Sequence, residues 1–227
     1  MGACPSRDER MPVGPAARLA RMSGHNHDDH DHGDHDHGEH DHDEQDHDHD
    51  EQAEAERRAL RQIALSQVRQ YGDPVLRMRA HEVGVFDEEL TRLSERMIAL
   101  MHDADGVGLA ATQVGIVRRL FVFHNEGEDR VIVNPVLSTT GGGTDVDEEG
   151  CLSLGSVRMP VERSLEVTLE GVDVHGAPLR LELEGLSARV VQHELDHLDG
   201  KLIIDRTDPE SRREAMAQLR PRLVLTR

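Results

Sequence analysis

The chain has 227 residues, a formal net charge of −19 at neutral pH and two cysteines. Its length holds one domain of ordinary size with appendages, and because Asp28 to Glu51 alone carries thirteen carboxylates and no lysine or arginine, the remainder is only mildly acidic and has no basic stripe for nucleic-acid phosphates. Cys4 and Cys151 allow no disulfide framework, which fits a reducing, cytoplasmic setting, and no apolar run reaches membrane-spanning length.

In chain order, residues 1–24 form an N-terminal segment expected to be disordered. It lacks the continuous apolar stretch of a secretory signal. Its opening matches the loose N-myristoylation pattern, a match short enough to recur by chance, and Met11 or Met22 are alternative starts. Residues 25–56 follow as a tail rich in His, Asp and Glu, with ten of the sixteen histidines at 25–50. With no apolar residue in its repetitive part, this tail is expected to stay disordered, either binding additional divalent metals loosely or acting as a solubilising segment. A catalytic domain is assigned to 57–212, with order beginning near Leu60, and a C-terminal tail to 213–227.

Within the domain, "YGDPVLRM" carries a turn signal at Gly72-Asp73-Pro74. Asp87 can cap a helix in which Leu90, Leu93, Met97, Leu100, Met101 and Ala104 recur at helical spacing, with Gly106 as the stop. Beyond Gly115 the period changes. "RRLFVF" and "RVIVNP" read as buried strands, and "LEVTLEGV" and "LRLELEG" as alternating strands joined by a hairpin at His175-Gly176-Ala177-Pro178. Ser187 can cap a last helix ending at Gly200. The expected class is α+β: antiparallel β-sheets packed around a central metal-binding helix, with a second helix before "GVGLAATQVG" and a disordered N-terminal tail.

The chemistry concentrates in "QHELDH", residues 192–197. On a helix, His193 and His197 share a face and can bind one metal ion, while Glu194, about 100° around, can reach a water on that ion. The third ligand decides the reaction. Gly200 occupies the glycine position of a metzincin continuation, but Ile203 stands where a histidine would be needed. A thermolysin-like site would need Glu210 or Glu214, in a stretch that reads as a short solvated terminal helix. Cys151, in "EEGCLSL", is the alternative. A lone cysteine is usually a small core residue, but this one is flanked by Glu149 and Gly150, and a thiolate with two imidazoles leaves a fourth position open to water.

Three segments together resemble the peptide deformylase family: "GVGLAATQVG" at 106–115, "EGCLS" at 149–153 and "QHELDH" at 192–197, in the family's order, flanked by "YGDPVLR" and "GKLIIDR". The resemblance spans about Leu60 to Thr207. It implies that Cys151, His193 and His197 bind one divalent ion, Fe²⁺ first, with Zn²⁺, Ni²⁺ or Co²⁺ able to substitute. It also implies that Glu194 is general base and acid for a metal-bound hydroxide attacking the formyl carbon, and that Gln113 and the backbone N–H of Leu152 serve the oxyanion. Gly106, Val107 and Gly108 would pair with an extended substrate. The substrate implied is the formyl-methionine end of nascent, ribosome-associated chains, with formate released. After "EGCLS" this chain has Leu154-Gly155 where many members have Pro-Gly, and a looser rim is expected there. The competing readings are a zinc endopeptidase, opposed by Ile203, and a metal-storage protein acting through the tail.

Overall fold

The computed structural model describes residues 42–220. The readings placed on residues 1–41 and 221–227, including most of the histidine tail and the myristoylation pattern, lie outside the described residues.

Helix α1 spans His42–Gln67 and so runs across the boundary drawn at 56/57. From Ala53 onward the sequence is almost wholly Ala, Glu, Arg, Leu, Gln and Ile, most of them strong helix formers, and propensity accumulates over such a length. Its end is held by tertiary packing, with Ala64 in its last turns and Val68 just beyond it buried in the cluster that holds α2 residues. Helix α2 spans Glu88–Asp103, and the Asp87 side chain accepts from the Leu90 N–H as its cap. Leu90, Met97, Leu100, Met101 and Ala104 are all buried. The stop differs from the expectation at Gly106. Asp105 takes the left-handed conformation (φ 54°), with its N–H donating to the His102 carbonyl and that of Gly106 to Met101, the paired bonds of a Schellman ending.

Five strands, β1 (Gly108–Ala110), β2 (Leu120–Asn125), β3 (Glu128–Gly150), β4 (Arg158–Val172) and β5 (Pro178–Glu184), pair antiparallel in sequence order. They form one continuous ladder rather than separate sheets. Register shifts between Val133 and Val136, Leu137 and Thr139, and Gly141 and Thr144 interrupt the long β3–β4 pairing, and such bulges bend a strand and increase its twist.

Strand β2 shows how the layers meet. Leu120 and Val122 join the cluster containing α2, while Phe121 and Phe123 join the cluster containing α3, Gly185–Leu198. A strand covered on both faces reads as a continuous apolar run rather than an alternation. A third cluster gathers Leu76, Cys151, Leu154, Met159, Val161, Leu202, Ile203, Ile204 and Ala215. Ala215 belongs to α4, Pro209–Leu219, so the helix crosses the boundary drawn at 212. Its buried residue anchors the first part of what reads in sequence as a solvated tail.

Helix α3 begins at Gly185 (φ 54°), two residues before the expected cap. Ser187 lies inside the first turn, and its hydroxyl pairs with the Asn125 side chain on β2 instead of capping. The Gln192 side-chain amide pairs with the N–H and C=O of Ser164, seating α3 on β4. At the other end Gly200 is left-handed (φ 73°), and the N–H groups of Gly200 and Lys201 return to the carbonyls of His197 and Asp196. A Cβ at Gly200 would lie 2.6 Å from the Arg77 carbonyl oxygen. Gly200→Ala therefore meets both an unfavourable backbone conformation and a backbone clash, and is expected to cost about 2 kcal/mol or more. Urea unfolding should show a lower midpoint at constant slope; an unchanged midpoint would contradict the close approach of these two segments.

Candidate metal centre

Three separate elements converge below β1. Cys151 follows β3, Gln113 lies in a 3-10 turn at Ala111–Val114, and His193, Glu194 and His197 project from α3. His197 Nε2 is 3.2 Å from both Cys151 Sγ and His193 Nε2. The three ligand atoms of Cys151, His193 and His197 form a group that could hold a metal ion. The i, i+4 spacing delivers the two imidazoles, and the end of β3 delivers the thiol to the same point.

The donor set fits a divalent ion on two further observations. His193 Nδ1 is 3.0 Å from Glu149 Oε2, which orients the ring; against the cost of burial, Cys151 and Glu149 raise the His193 pKa, so an ion binding at Nε2 displaces a proton there. Glu194 Oε2 is buried without a partner, an arrangement a protein interior rarely tolerates unless an ion, water or ligand completes it. Burial and the neighbouring His193 hold the His197 imidazole well below its ordinary range, favouring the neutral form that coordination requires. Burial pushes the Glu194 carboxyl up to about 7, although His193 opposes it.

Gln113 is oriented from both ends. Its Oε1 accepts from the Ala110 N–H at 2.8 Å, so its Nε2 points toward Ser153 Oγ (3.2 Å) and Cys151 Sγ (3.7 Å). The glycines of "GVGLAATQVG" have a use the sequence did not reveal. A Cβ at Gly108 would sit 2.5 Å from Glu194 Oε1, and one at Gly106 would sit 3.0 Å from Leu152 Cδ1. Both clear space for side chains of the centre itself.

Beneath the centre lies a buried ionic chain that the sequence reading passed over. Arg163 donates to both Glu149 oxygens, at 2.9 and 3.0 Å, and to Asp196 at 2.6 Å. Arg189 adds a bond to Glu149 at 2.9 Å, and Arg206 pairs with Asp196. Side-chain exposures of 4% for Arg163, 5% for Glu149 and 8% for Asp196 mean that water screens little of this. The available signal was the alternation Met159, Val161, Arg163 in β4, which puts an arginine on the inward face.

The centre opens into a cleft of about 540 Å³ lined by Gly106, Val107, Gly108, Gln113, Cys151, Leu152, His193 and Glu194, with Leu186, Val190 and Val157 supplying apolar surface. All nine residues singled out from sequence line this cleft except His197, which is buried at its floor. Ile203 is buried in the third cluster, and Glu210 and Glu214 are exposed on α4, so none of the positions weighed for a protease ligand set enters the site. Leu154, next to the cleft residue Gly155, is buried with 1% exposure and so anchored by packing, and Gly155 takes φ 63°.

A sequence model described as polypeptide deformylase matches residues 65–213. The chain belongs to the polypeptide deformylase family. Peptide deformylase 1 of Corynebacterium glutamicum is 47% identical over 162 residues, covering 70% of this chain and 96% of the relative. The Thermotoga neapolitana peptide deformylase is 49% identical over 146 residues, covering 64% and 89%. Among solved structures, the Legionella pneumophila peptide deformylase matches with a TM-score of 0.64 and 40% identity, covering 67% of this chain and 91% of that one. The Thermotoga maritima enzyme gives 0.61 and 47%, covering 63% and 97%. As a peptide deformylase, the chain is an enzyme of a metal-dependent family that removes N-terminal formyl groups. No helix among the described residues is long and apolar enough to cross a membrane.

Glu149 gives this centre a pH signature. Burial alone would raise its carboxyl, but hydrogen bonds from His193 and Arg163 outweigh that and lower it from 4.5 to about 2. A depressed carboxylate stabilises the fold fully above its unfolded value, and that stability is lost as pH falls toward the folded value. Between about pH 5 and pH 2 the stability of the native sequence should therefore fall more steeply than that of Glu149→Gln, measured by denaturant unfolding along a pH series. Parallel curves would contradict this assignment.

Proposed function

We propose that this chain hydrolyses the formyl group from the N-terminal formyl-methionine of newly synthesised polypeptides, with Cys151, His193 and His197 holding one divalent ion. The observation that carries this reading is the convergence of a thiol and two imidazole nitrogens beside a buried, partnerless carboxylate oxygen. The family resemblance makes Fe²⁺ the first candidate, and a thiolate with two imidazoles also accepts Zn²⁺, Ni²⁺ or Co²⁺. When bound, such an ion supplies Lewis acidity, acidifying water and polarising a carbonyl.

The chain's own groups then divide the work. Glu194 takes a proton from the attacking water at its carboxylate and later passes one to the departing amine nitrogen as the C–N bond breaks. Gln113 Nε2 and the Leu152 N–H stabilise the oxyanion of the tetrahedral intermediate. Such donors act most strongly when fixed in advance, and the Ala110 N–H bond to Gln113 Oε1 provides that fixing. Among the described residues β1 pairs only with β2, so its other edge, with Gly106 and Val107 leading into it, is available to an extended peptide by strand addition. Leu186, Val190, Val157 and Leu152 offer the apolar surface for a methionine side chain. Because later residues would be held through backbone, the preference beyond methionine should be loose.

The test is formate release from a formyl-methionyl dipeptide by protein prepared anaerobically with Fe²⁺. Glu194→Gln should retain metal and lose about 10²–10⁴ in rate, and Gln113→Ala should lose about 10² or more in kcat. Full metal loading of the native protein without formate release would overturn the reading.

A further inference from the structure

On the opposite side of β1 from the catalytic centre, three groups from three elements meet at the surface. His102 lies in the last turn of α2, His124 on β2 and Asp129 on β3. His102 Nε2 is 2.9 and 2.8 Å from the two Asp129 oxygens, and His124 Nδ1 is 2.8 Å from Asp129 Oδ1. One atom from each residue lies within 4.8 Å of the other two. The backbone imposes this arrangement. His124 and Asp129 are direct partners in the β2–β3 register. The connecting Glu126 and Gly127 both have positive φ, 51° and 84°, the turn type that matches the twist of a tight hairpin. The ending of α2 at Asp105 holds His102 beside them.

We propose that His102, His124 and Asp129 form a second divalent-cation site, distinct from the centre at Cys151 and taking ions of the Zn²⁺, Co²⁺, Ni²⁺ and Cu²⁺ class. Two imidazoles and one carboxylate favour these ions over Mg²⁺ or Ca²⁺, which take oxygen donors. Both His–Asp129 pairs are at hydrogen-bond distance. Bonds of about 2.0–2.2 Å to one tetrahedral ion need them slightly farther apart, an opening of about half an ångström. The side chains, exposed by 47%, 41% and 29%, have room for that movement and leave the remaining positions to water.

The site also has a structural consequence. The His124 N–H donates to the Val107 carbonyl at 3.0 Å, and residues 105–108 line the catalytic cleft. An ion joining the end of α2 to the β2–β3 hairpin clips both ends of the segment that forms the cleft's strand edge. Its effect is to stiffen that edge without entering the chemistry.

The experiment is a titration of the full-length, metal-loaded enzyme with Zn²⁺, following the two-bond ¹H–¹⁵N resonances of individual imidazoles. Residue-level signals separate His102 and His124 from the histidines at 25–50. Both should shift together and saturate with one dissociation constant at or below ~100 μM. In Asp129→Asn, and independently in His102→Gln, the affinity read at His124 should weaken by at least about tenfold, while formate release without added Zn²⁺ stays at the parent level. The site is refuted if either resonance stays still up to that concentration, if the two move with different constants, or if Asp129→Asn binds as the parent does.

Discussion

Arg163 is a permanent cation with 4% of its side chain exposed, and a charge that cannot be neutralised by deprotonation must be met where it lies. Glu149 and Asp196 meet it. Glu149 is the penultimate residue of β3, two before Cys151, Arg163 belongs to β4, and Asp196 sits on α3 between Glu194 and His197. One buried guanidinium therefore fixes the mutual position of the elements that carry the thiol and both imidazoles. Glu149 then spends its remaining capacity on His193 Nδ1 and Arg189, passing the constraint directly to a ring of the centre. Buried ion networks contribute little net stability compared with well-packed apolar residues, but breaking one is costly. Here the network's value lies in geometry.

The same economy of space explains the glycines. β1 crosses so close to α3 that Gly108 has no room for a Cβ against Glu194, and the 3-10 turn Pro74–Arg77 leaves Gly200 none against the Arg77 carbonyl. Glu194 is consequently held in a dry position where its carboxyl is raised to about 7, close to the working range of a proton carrier. Backbone proximity and carboxylate desolvation thus meet at the residue proposed to carry the proton.

Much of this was legible in the sequence because the signals were periodic or local. The apolar spacing of α2 and its Asp87 cap, the strands after Gly115 and the i, i+4 histidines all follow from short-range rules. Cys151 needed a different step, since its neighbours Glu149 and Gly150 had to be weighed against the ordinary burial of cysteine, and the family resemblance joined it to the histidines. What escaped was long-range or sterically specific. Arg163 looked like one more polar residue until its partners, 14 and 33 residues away, were brought to it by folding. Ser187 had the composition of a cap, but Gly185 could take the left-handed entry and Asn125 claimed the hydroxyl. The extent of α1 and α4 depended on anchors, Ala64, Val68 and Ala215, whose burial no local pattern announces.

The central claim is that one thiolate and two imidazoles of this chain hold a single ion in the cleft. X-ray absorption on the full-length protein loaded with one equivalent of Zn²⁺ reads that donor set directly. The account predicts one sulfur near 2.3 Å and two imidazole nitrogens at about 2.0–2.1 Å, with the sulfur lost in Cys151→Ser. A shell of nitrogen and oxygen alone would put the ion elsewhere on the chain and contradict it.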